Sequence, residues 1–398
     1  MGRARVSSES RPLVTLVIPG YNEAAVLAAN VALIYDYLET LAAEYRFEVF
    51  VVNDGSADMT GTVADELRSL YTNLRVLHHP SNFGLGQAFK TAFSASRGDY
   101  VVTLDVDLSY APQTIGDLLT AICRERAKLV LASAYMKGGR TTMVPWLRLW
   151  LSRVGNGFIS LLTGNQFSTF TCMVRAYDGP FIRSLNPTKQ DMAIMPEIIY
   201  KTMILGGKIV EIPAHLDWTR QVQDGCGRTS NMRVLKHILS TSISAFFFRP
   251  FVMMLVPGLL LLLFSGYVNL WVMVEFQSAL PKVGGHLSQA AAQVFAQHPA
   301  TLLIGLLSLV LAVQLISLGA ISLQAKRYYE ESYCQQVSLR RQISQAMRPD
   351  SPGSRPGESP LAGSARLRRK HLLRRLTRGS DLLQKAPSDR TLIHDADA

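Results

Sequence analysis

"LVTLVIPGYNEAAVLAANVALIYDYLETLA", residues 13–42, reads as a strand, a polar turn and a helix, and that order sets the fold. Residues 13–19 are short, apolar and rich in β-branched side chains, as a buried strand requires. Residues 23–42 carry apolar side chains at helical spacing. The same alternation continues along the chain. Strand-like runs lie at 47–53, 74–77, 100–105 and 128–133, with helix-like stretches at 57–71, 86–96 and 112–126 between them. Such alternation implies parallel strands joined by right-handed crossovers, hence an α/β sheet covered on both faces. Ligands on these sheets collect at the carboxyl ends of the strands, so the residues just after each strand carry the chemistry.

Three strand ends are rich in polar groups. "PGYNEA" supplies Pro19, Tyr21, Asn22 and Glu23; "NDGSADMT" supplies Asn53, Asp54, Gly55, Ser56 and Asp58; "DVDLS" supplies Asp105, Asp107 and Ser109. Any one alone reads equally as a helix cap or a turn. Three at one sheet edge would repel one another unless a cation or hydrogen-bond donors meet them. On a strand, residues two apart point to the same side, which aims Asp105 and Asp107 at one point. Hard oxygen ligands suit Mg²⁺ or Mn²⁺, ions that keep positions for phosphate oxygens. "NFGLGQAF" lacks the G-K-[ST] ending of a P-loop, and "PGYNEA" is no dinucleotide fingerprint. A metal–diphosphate site without a P-loop suggests a nucleotide-sugar.

A net charge of +11 accompanies 48% hydrophobic residues in 398. The apolar excess lies in two charge-free blocks, 250–274 and 299–325, each long enough to cross roughly 30 Å of hydrocarbon as a helix. Arg233, Lys236 and Arg249 precede the first and Lys326 and Arg327 follow the second, while Lys282 is the single Lys or Arg of the loop 275–298. The positive-inside bias places 1–249 and 326–398 in the cytoplasm. The expected division is a flexible N-terminus (1–10), a catalytic α/β domain (11–230), an interfacial helix (231–249), two spans (250–274 and 299–325) around an extracytoplasmic loop, and a basic, partly disordered tail (326–398). "MGRARVSSES" lacks an apolar h-region, so no signal peptide is expected. The four cysteines have no metal or redox spacing and read as free thiols. "RLRRKHLLRRLTR" (366–378) reads as a solvated charge run or as a helix on anionic lipid; with spans nearby, lipid headgroups rather than nucleic acid are the polyanion in reach.

"LVTLVIPGYNEA", "VFVVNDGSADMT", "NFGLGQAFKTAFSASRGDYVVTLDVDLSYAP" and "SAYMKGG" resemble, in order, the motifs of family 2 glycosyltransferases of the GT-A fold. "RLWLSRVGN" (148–156), "TCMVRAY" (171–177), "EIIYKTMILGGKIVEIPAHL" (197–216) and "GRTSNM" (227–232), followed by two spans, look like the polyprenyl-phosphate glycosyltransferases, the dolichol-phosphate mannose synthase group. The resemblance covers roughly residues 12–325 and implies inverting, metal-dependent transfer of a sugar from a nucleotide-sugar to a polyprenyl phosphate. It implies that Pro19, Tyr21, Glu23, Val52 and Asp54 surround the nucleotide base and ribose. Asp105 and Asp107 become the catalytic DXD pair on the metal, with Val106 between them and Ser109 at the position of a third ligand. Arg148 and Ser152 grip the lipid phosphate, and Arg220 closes over the nucleotide.

This chain departs from the family pattern at several points. Asn53 begins the usual "DDG", Ser109 stands for a glutamine, Ala134 for an arginine, Thr169 for an aspartate and Asn231 for a lysine, with Arg228 as its stand-in. A membrane-tethered transferase with a non-lipid acceptor, and a catalytically weakened scaffold, therefore stay as alternatives. A processive polysaccharide synthase would carry "QxxRW", which is absent. Asp191 and Glu197 are read as ordering a helix and the acceptor loop, with an acid or base role as the alternative. The expected partners are the nucleotide-sugar, the polyprenyl phosphate and membrane lipids; a homo-oligomer stays open.

Overall fold

The alternation of residues 13–42 becomes β1 (Leu13–Gly20) and α1 (Ala24–Leu41) in the computed structural model, which describes residues 11–163, 166–219 and 249–346. Side chains on β1 divide by pleat. Val14, Leu16 and Ile18 enter one core with Leu27, Val31, Ile34 and Leu38 of α1, while Val17 enters a second core on the opposite face. β2 (Arg46–Asn53) divides in the same way, Val49 and Val51 against Phe50 and Val52. With β3 (Leu74–His78), β4 (Tyr100–Thr103), β5 (Leu129–Ser133), β7 (Arg175–Asp178) and β8 (Ile209–Pro213) they make a seven-stranded sheet in the order β3-β2-β1-β4-β7-β5-β8.

All pairings in this sheet are parallel except those of β7, which runs antiparallel between β4 and β5. The alternation up to residue 133 gives no sign of that inserted strand. β6 (Arg140–Thr142) and β9 (His215–Asp217) form a separate parallel pair. On the first core lie α1, α2 (Thr60–Leu70) and α4 (Thr114–Glu125); on the second lie α3 (Leu85–Ala95), α6 (Gly179–Leu185) and α7 (Ile194–Ile204). This is the mostly parallel GT-A architecture.

Arg175 on β7 is fully buried, and its guanidinium donates to the carbonyls of Cys172 (2.7 Å), Met195 (2.9 Å) and Phe170 (2.7 Å). A charge in a core is tolerated only when its donors are met, and here they tie β7 to the start of α7.

Among the described residues, three helices are long and apolar enough to cross a membrane, rather than the two expected: Ala24–Leu41, Phe251–Val283 and Pro299–Arg340. The first is α1, whose apolar stripe at i, i+4, i+7 and i+11 is buried against the sheet. The other two belong to α8 (Pro250–Ala279) and α10 (Pro299–Ala346), joined through the short α9 (Leu287–Gln297). They approach closely at small residues: a Cβ on Gly258 would meet Ile316, and one on Gly305 would meet Val268. The Ser265 hydroxyl donates to the Gly305 carbonyl at 2.9 Å, a packing mode suited to lipid. The part of α10 up to Val337 clusters with the α/β domain, and its last turns, from Ser338, do not.

Candidate active site

The β1 and β2 ends are laced together. Asn22, in the left-handed region at φ 58°, donates its backbone N–H to Ser56 Oγ (3.0 Å). Its Oδ1 accepts from the Ala57 N–H (2.9 Å), and the Glu23 N–H donates to Thr60 Oγ1 (2.8 Å). Tyr21 is exposed at the tip of this wall, and Glu23 is half-buried. Pro19 pairs with Val52 inside the sheet, and both are buried. The Val52 side chain belongs to the second core, so it forms part of the floor beneath the wall.

Asp54 is more heavily committed than a free recognition group. Its Oδ1 accepts from His79 Nδ1 (2.7 Å) and the Phe83 N–H (3.1 Å), and its Oδ2 from the Gly84 N–H (2.8 Å). Gly84, at φ 92°, turns the chain into α3, and a Cβ there would strike the Gln190 carbonyl oxygen at 2.6 Å. Asp54 thus anchors the loop that leads into α3.

The DXD residues meet by a different route from the one their spacing suggests. β4 ends at Thr103, so Asp105 and Asp107 do not share a strand face. They lie in a turn closed by the Leu108 N–H on the Asp105 carbonyl (3.2 Å), with Leu108 at φ 50°. Asn30 on the buried face of α1 holds this turn by donating to the Val106 carbonyl at 2.8 Å, and the Val106 side chain packs into the first core. Ser109 donates both its N–H (3.0 Å) and its hydroxyl (2.8 Å) to Asp107 Oδ1, which orients that carboxylate.

Both aspartates line a cavity of about 480 Å³ that also takes in Ser109, Arg148 and Ser152. Burial first, then the Asp107 charge, pushes the Asp105 carboxyl well above its ordinary range, against the pull of Arg148. Among the described residues no group donates a hydrogen bond to that carboxylate, and no cluster of three or more His, Cys, Asp or Glu forms. Two facing hard-oxygen groups that lack a local donor at one of them fit a divalent cation with most of its shell left to phosphate and water. Cys172, also on the cavity wall, has its thiol pushed up to about 11 by burial, which keeps it a neutral packing group.

The opposite wall is α5 (Trp146–Thr163). Arg148, Leu151, Ser152, Gly155 and Asn156 recur at i, i+3, i+4, i+7 and i+8 and all line the cavity. The Arg148 guanidinium sits 4.1 Å from the centre of the Trp218 ring. Ser152 Oγ accepts from Tyr135 Oη (2.9 Å) and from Asn156 Nδ2 (3.3 Å). With both lone pairs engaged, its own hydrogen remains to be donated to an anion in the cavity. Asn156 is held in turn by the Phe170 N–H on its Oδ1 (2.8 Å). On the other face of α5, Trp146 is 78% and Trp150 56% exposed, with Leu147, Val154 and Leu161 beside them.

Trp218, Tyr135, Asn156 and Asn30 were not singled out from the sequence. The periodicity of α5 could have flagged Asn156, but nothing local marks the others. Thr169, at the family's aspartate position, pairs with Ser133 through their hydroxyls (2.6 Å) and Ala134 is buried beside them. Glu197 accepts from Thr188 and Lys189 and pairs with Lys201, in keeping with an ordering part. Arg220, Arg228, Asn231, the interfacial helix up to 248, residues 1–10 and the tail from 347 lie outside the described residues.

The family model described as "Glycosyl transferase family 2" matches residues 15–181. A polyprenol monophosphomannose synthase of Mycolicibacterium smegmatis is 31% identical over 217 residues, 53% of this chain and 78% of that protein. An undecaprenyl-phosphate mannosyltransferase of Micrococcus luteus is 30% identical, over 50% of this chain and 82% of that protein. A dolichyl-phosphate beta-glucosyltransferase of Trichomonas vaginalis is 27% identical, over 61% of this chain and 74% of that protein.

Proposed function

The chain belongs to glycosyl transferase family 2 and is a glycosyltransferase; from that premise we propose that it moves a sugar from a nucleotide-sugar to a polyprenyl phosphate at the cytoplasmic face of a membrane. The observation that carries the acceptor is the two-faced α5. Arg148 and Ser152 offer an anion a cation and a hydroxyl donor inside the cavity, while Trp146 and Trp150 present a bare apolar face just outside it. A phosphate carried on a hydrophobic chain satisfies both faces at once. The named relatives act on polyprenyl-phosphate acceptors with different sugars, which supports the acceptor class and leaves the sugar open.

The laced β1 and β2 loops, with Tyr21 and Glu23 at their tip, would receive the nucleoside, and Pro19, Val52 and Asp54 would support it from below. Asp105 and Asp107 would hold Mg²⁺ or Mn²⁺, which supplies charge neutralisation for the departing diphosphate. Arg148 and Ser152 would orient the acceptor phosphate so that one of its oxygens attacks the anomeric carbon. That C–O bond forms as the bond to the nucleoside diphosphate breaks, with inversion. The acceptor oxygen is already anionic near neutral pH, so no general base is required. α8 and α10 would anchor the domain, and the cations at Arg249, Lys326 and Arg327 favour the cytoplasmic side.

The deciding experiment incubates the purified full chain in vesicles with Mn²⁺, undecaprenyl or dolichyl phosphate and radiolabelled GDP-mannose, UDP-glucose and related donors. Label in an organic-extractable, lipid-linked sugar is the expected result and names the donor. Label only in water-soluble product would sink the lipid acceptor.

A further inference from the structure

α10 does not stop where its apolar block stops. Its 48 residues extend about 70 Å at 1.5 Å each, more than twice the roughly 30 Å of a hydrocarbon core. Residues 326–334 lie along α7 and the end of α6. Tyr200 Oη donates to Glu330 Oε1 (2.9 Å), and the rings of Tyr200, Tyr329 and Tyr333 stack in series at 6.4 and 6.2 Å. Tyr333, itself buried, donates its hydroxyl to the Leu185 carbonyl at the end of α6.

Lys201 is 1% exposed, with its Nζ on the Asn186 carbonyl (2.8 Å), on Glu197 (2.8 Å) and 5.0 Å from the Tyr333 ring centre. Tyr333 and Lys201 therefore cap successive carbonyls of the α6 terminus, groups that no helix can satisfy internally.

The contacts continue toward the cavity. Glu197 accepts from the Thr188 N–H (2.8 Å), the Thr188 hydroxyl (2.7 Å) and the Lys189 N–H (2.9 Å). The Gln190 carbonyl accepts from the Gly86 N–H (2.7 Å), and Met192 lines the cavity that holds Arg148 and Ser152.

We infer that Tyr333 is a positioning residue: the extension of α10 clamps the 186–192 segment and so sets the Met192 side of the cavity that holds Arg148 and Ser152 at a fixed place relative to the membrane helices. The inference rests on the polyprenyl-phosphate reading above. The tip of the donor wall has ties of its own, because the β1 and β2 loops are laced to each other, whereas the α3 loop meets the clamped segment through the Gly86 N–H on the Gln190 carbonyl. Loss of Tyr333 should therefore touch the acceptor more than the donor.

The test uses the full chain in phosphatidylcholine–phosphatidylglycerol vesicles, with undecaprenyl phosphate and whichever of GDP-mannose and UDP-glucose the wild type transfers. Tyr333→Ala is expected to raise the acceptor KM about fivefold, with a smaller change in the donor KM. Tyr333→Phe, which keeps the ring over Lys201 and loses only the hydroxyl, should recover part of that loss. Amide exchange at Thr188 and Lys189 should quicken in Tyr333→Ala while exchange in β1 and β2 stays at the wild-type rate. Wild-type acceptor KM in both variants overturns the clamp, and so does faster exchange without any change in KM. If Tyr333→Ala loses protection throughout the sheet, Tyr333→Phe decides alone, and wild-type exchange and KM in it overturn the inference. A wild type that labels no lipid overturns the proposed function instead, and the exchange rates still report whether Tyr333 holds the segment.

Discussion

Asp54 and Asp105 stand at the ends of neighbouring parts of one sheet, and their surroundings are opposite. Asp54 is surrounded by donors: His79 and two backbone N–H groups meet its oxygens within 3.1 Å. Asp105 meets no described donor, faces a second carboxylate and has its carboxyl pushed well up by burial. A carboxylate already supplied with donors holds structure together, whereas one that is desolvated beside its own kind has unmet demand for positive charge. The same residue type at the same sheet edge is thus a tie in one place and the best metal candidate in the other.

The largest effect should come from Asp107→Ala. Activity is expected to fall about a hundredfold or more, Mn²⁺-dependent nucleotide-sugar binding should vanish, and the thermal midpoint in EDTA should fall less than in Asp54→Ala. A variant that keeps metal-dependent donor binding would break the contrast. Asp54→Ala should do the reverse, because it leaves His79 and two N–H groups unmet at a cost of about 3 kcal/mol. Thermal unfolding followed by tryptophan fluorescence reads this directly. An unchanged midpoint with lost donor affinity would instead make Asp54 a recognition group.

A smaller change is expected from Trp218→Ala, which removes the ring beneath Arg148. The acceptor KM should rise about fivefold, with metal and donor binding intact, and steady-state kinetics in vesicles would expose any departure.

The gentlest test is pH. Burial raises the folded-state pKa of Asp105 above its unfolded value, so below the unfolded value both states hold the proton and Asp105 costs nothing. As pH rises through the unfolded and then the raised folded value, the unfolded state releases its proton first and stability falls. Asp105→Asn should therefore stabilise the metal-free protein near neutral pH and give no gain at pH 3. Mn²⁺ should shrink the gain by stabilising the wild type, and metal affinity should drop as pH falls through the raised value. Unfolding midpoints across pH, with EDTA or Mn²⁺, check both signs.

Much of this was legible in the residues themselves. The strands from 13 to 133, the helices between them and the two charge-free blocks all follow from periodicities of 2 and 3.6 and from apolar run length. The DXD pair was legible as a pair, though its geometry was misread as a strand face, because a positive-φ turn at Leu108 leaves no mark in an apolar–polar pattern. The inserted antiparallel β7 was invisible for a related reason: strand direction is set by what a strand packs between, and the carbonyls that hold Arg175 in the core meet it only in the folded chain. α1 shows the limit from the other side. Its length and apolarity alone admit a membrane span, and only its contact with β1 and β2 assigns that apolarity to the core.

By itself, then, the sequence determined which residues could carry charge to the sheet edge and which blocks were apolar enough to leave water, since both are properties of short neighbouring runs. Tertiary structure alone decided which carboxylate is satisfied and which is not, because the deciding partners are distant in the chain: Gly84 for Asp54, Arg148 for Asp105, Tyr333 for Lys201. Hydrogen bonds and desolvation depend on distances of a few ångströms, and those exist only once the sheet has brought such residues together.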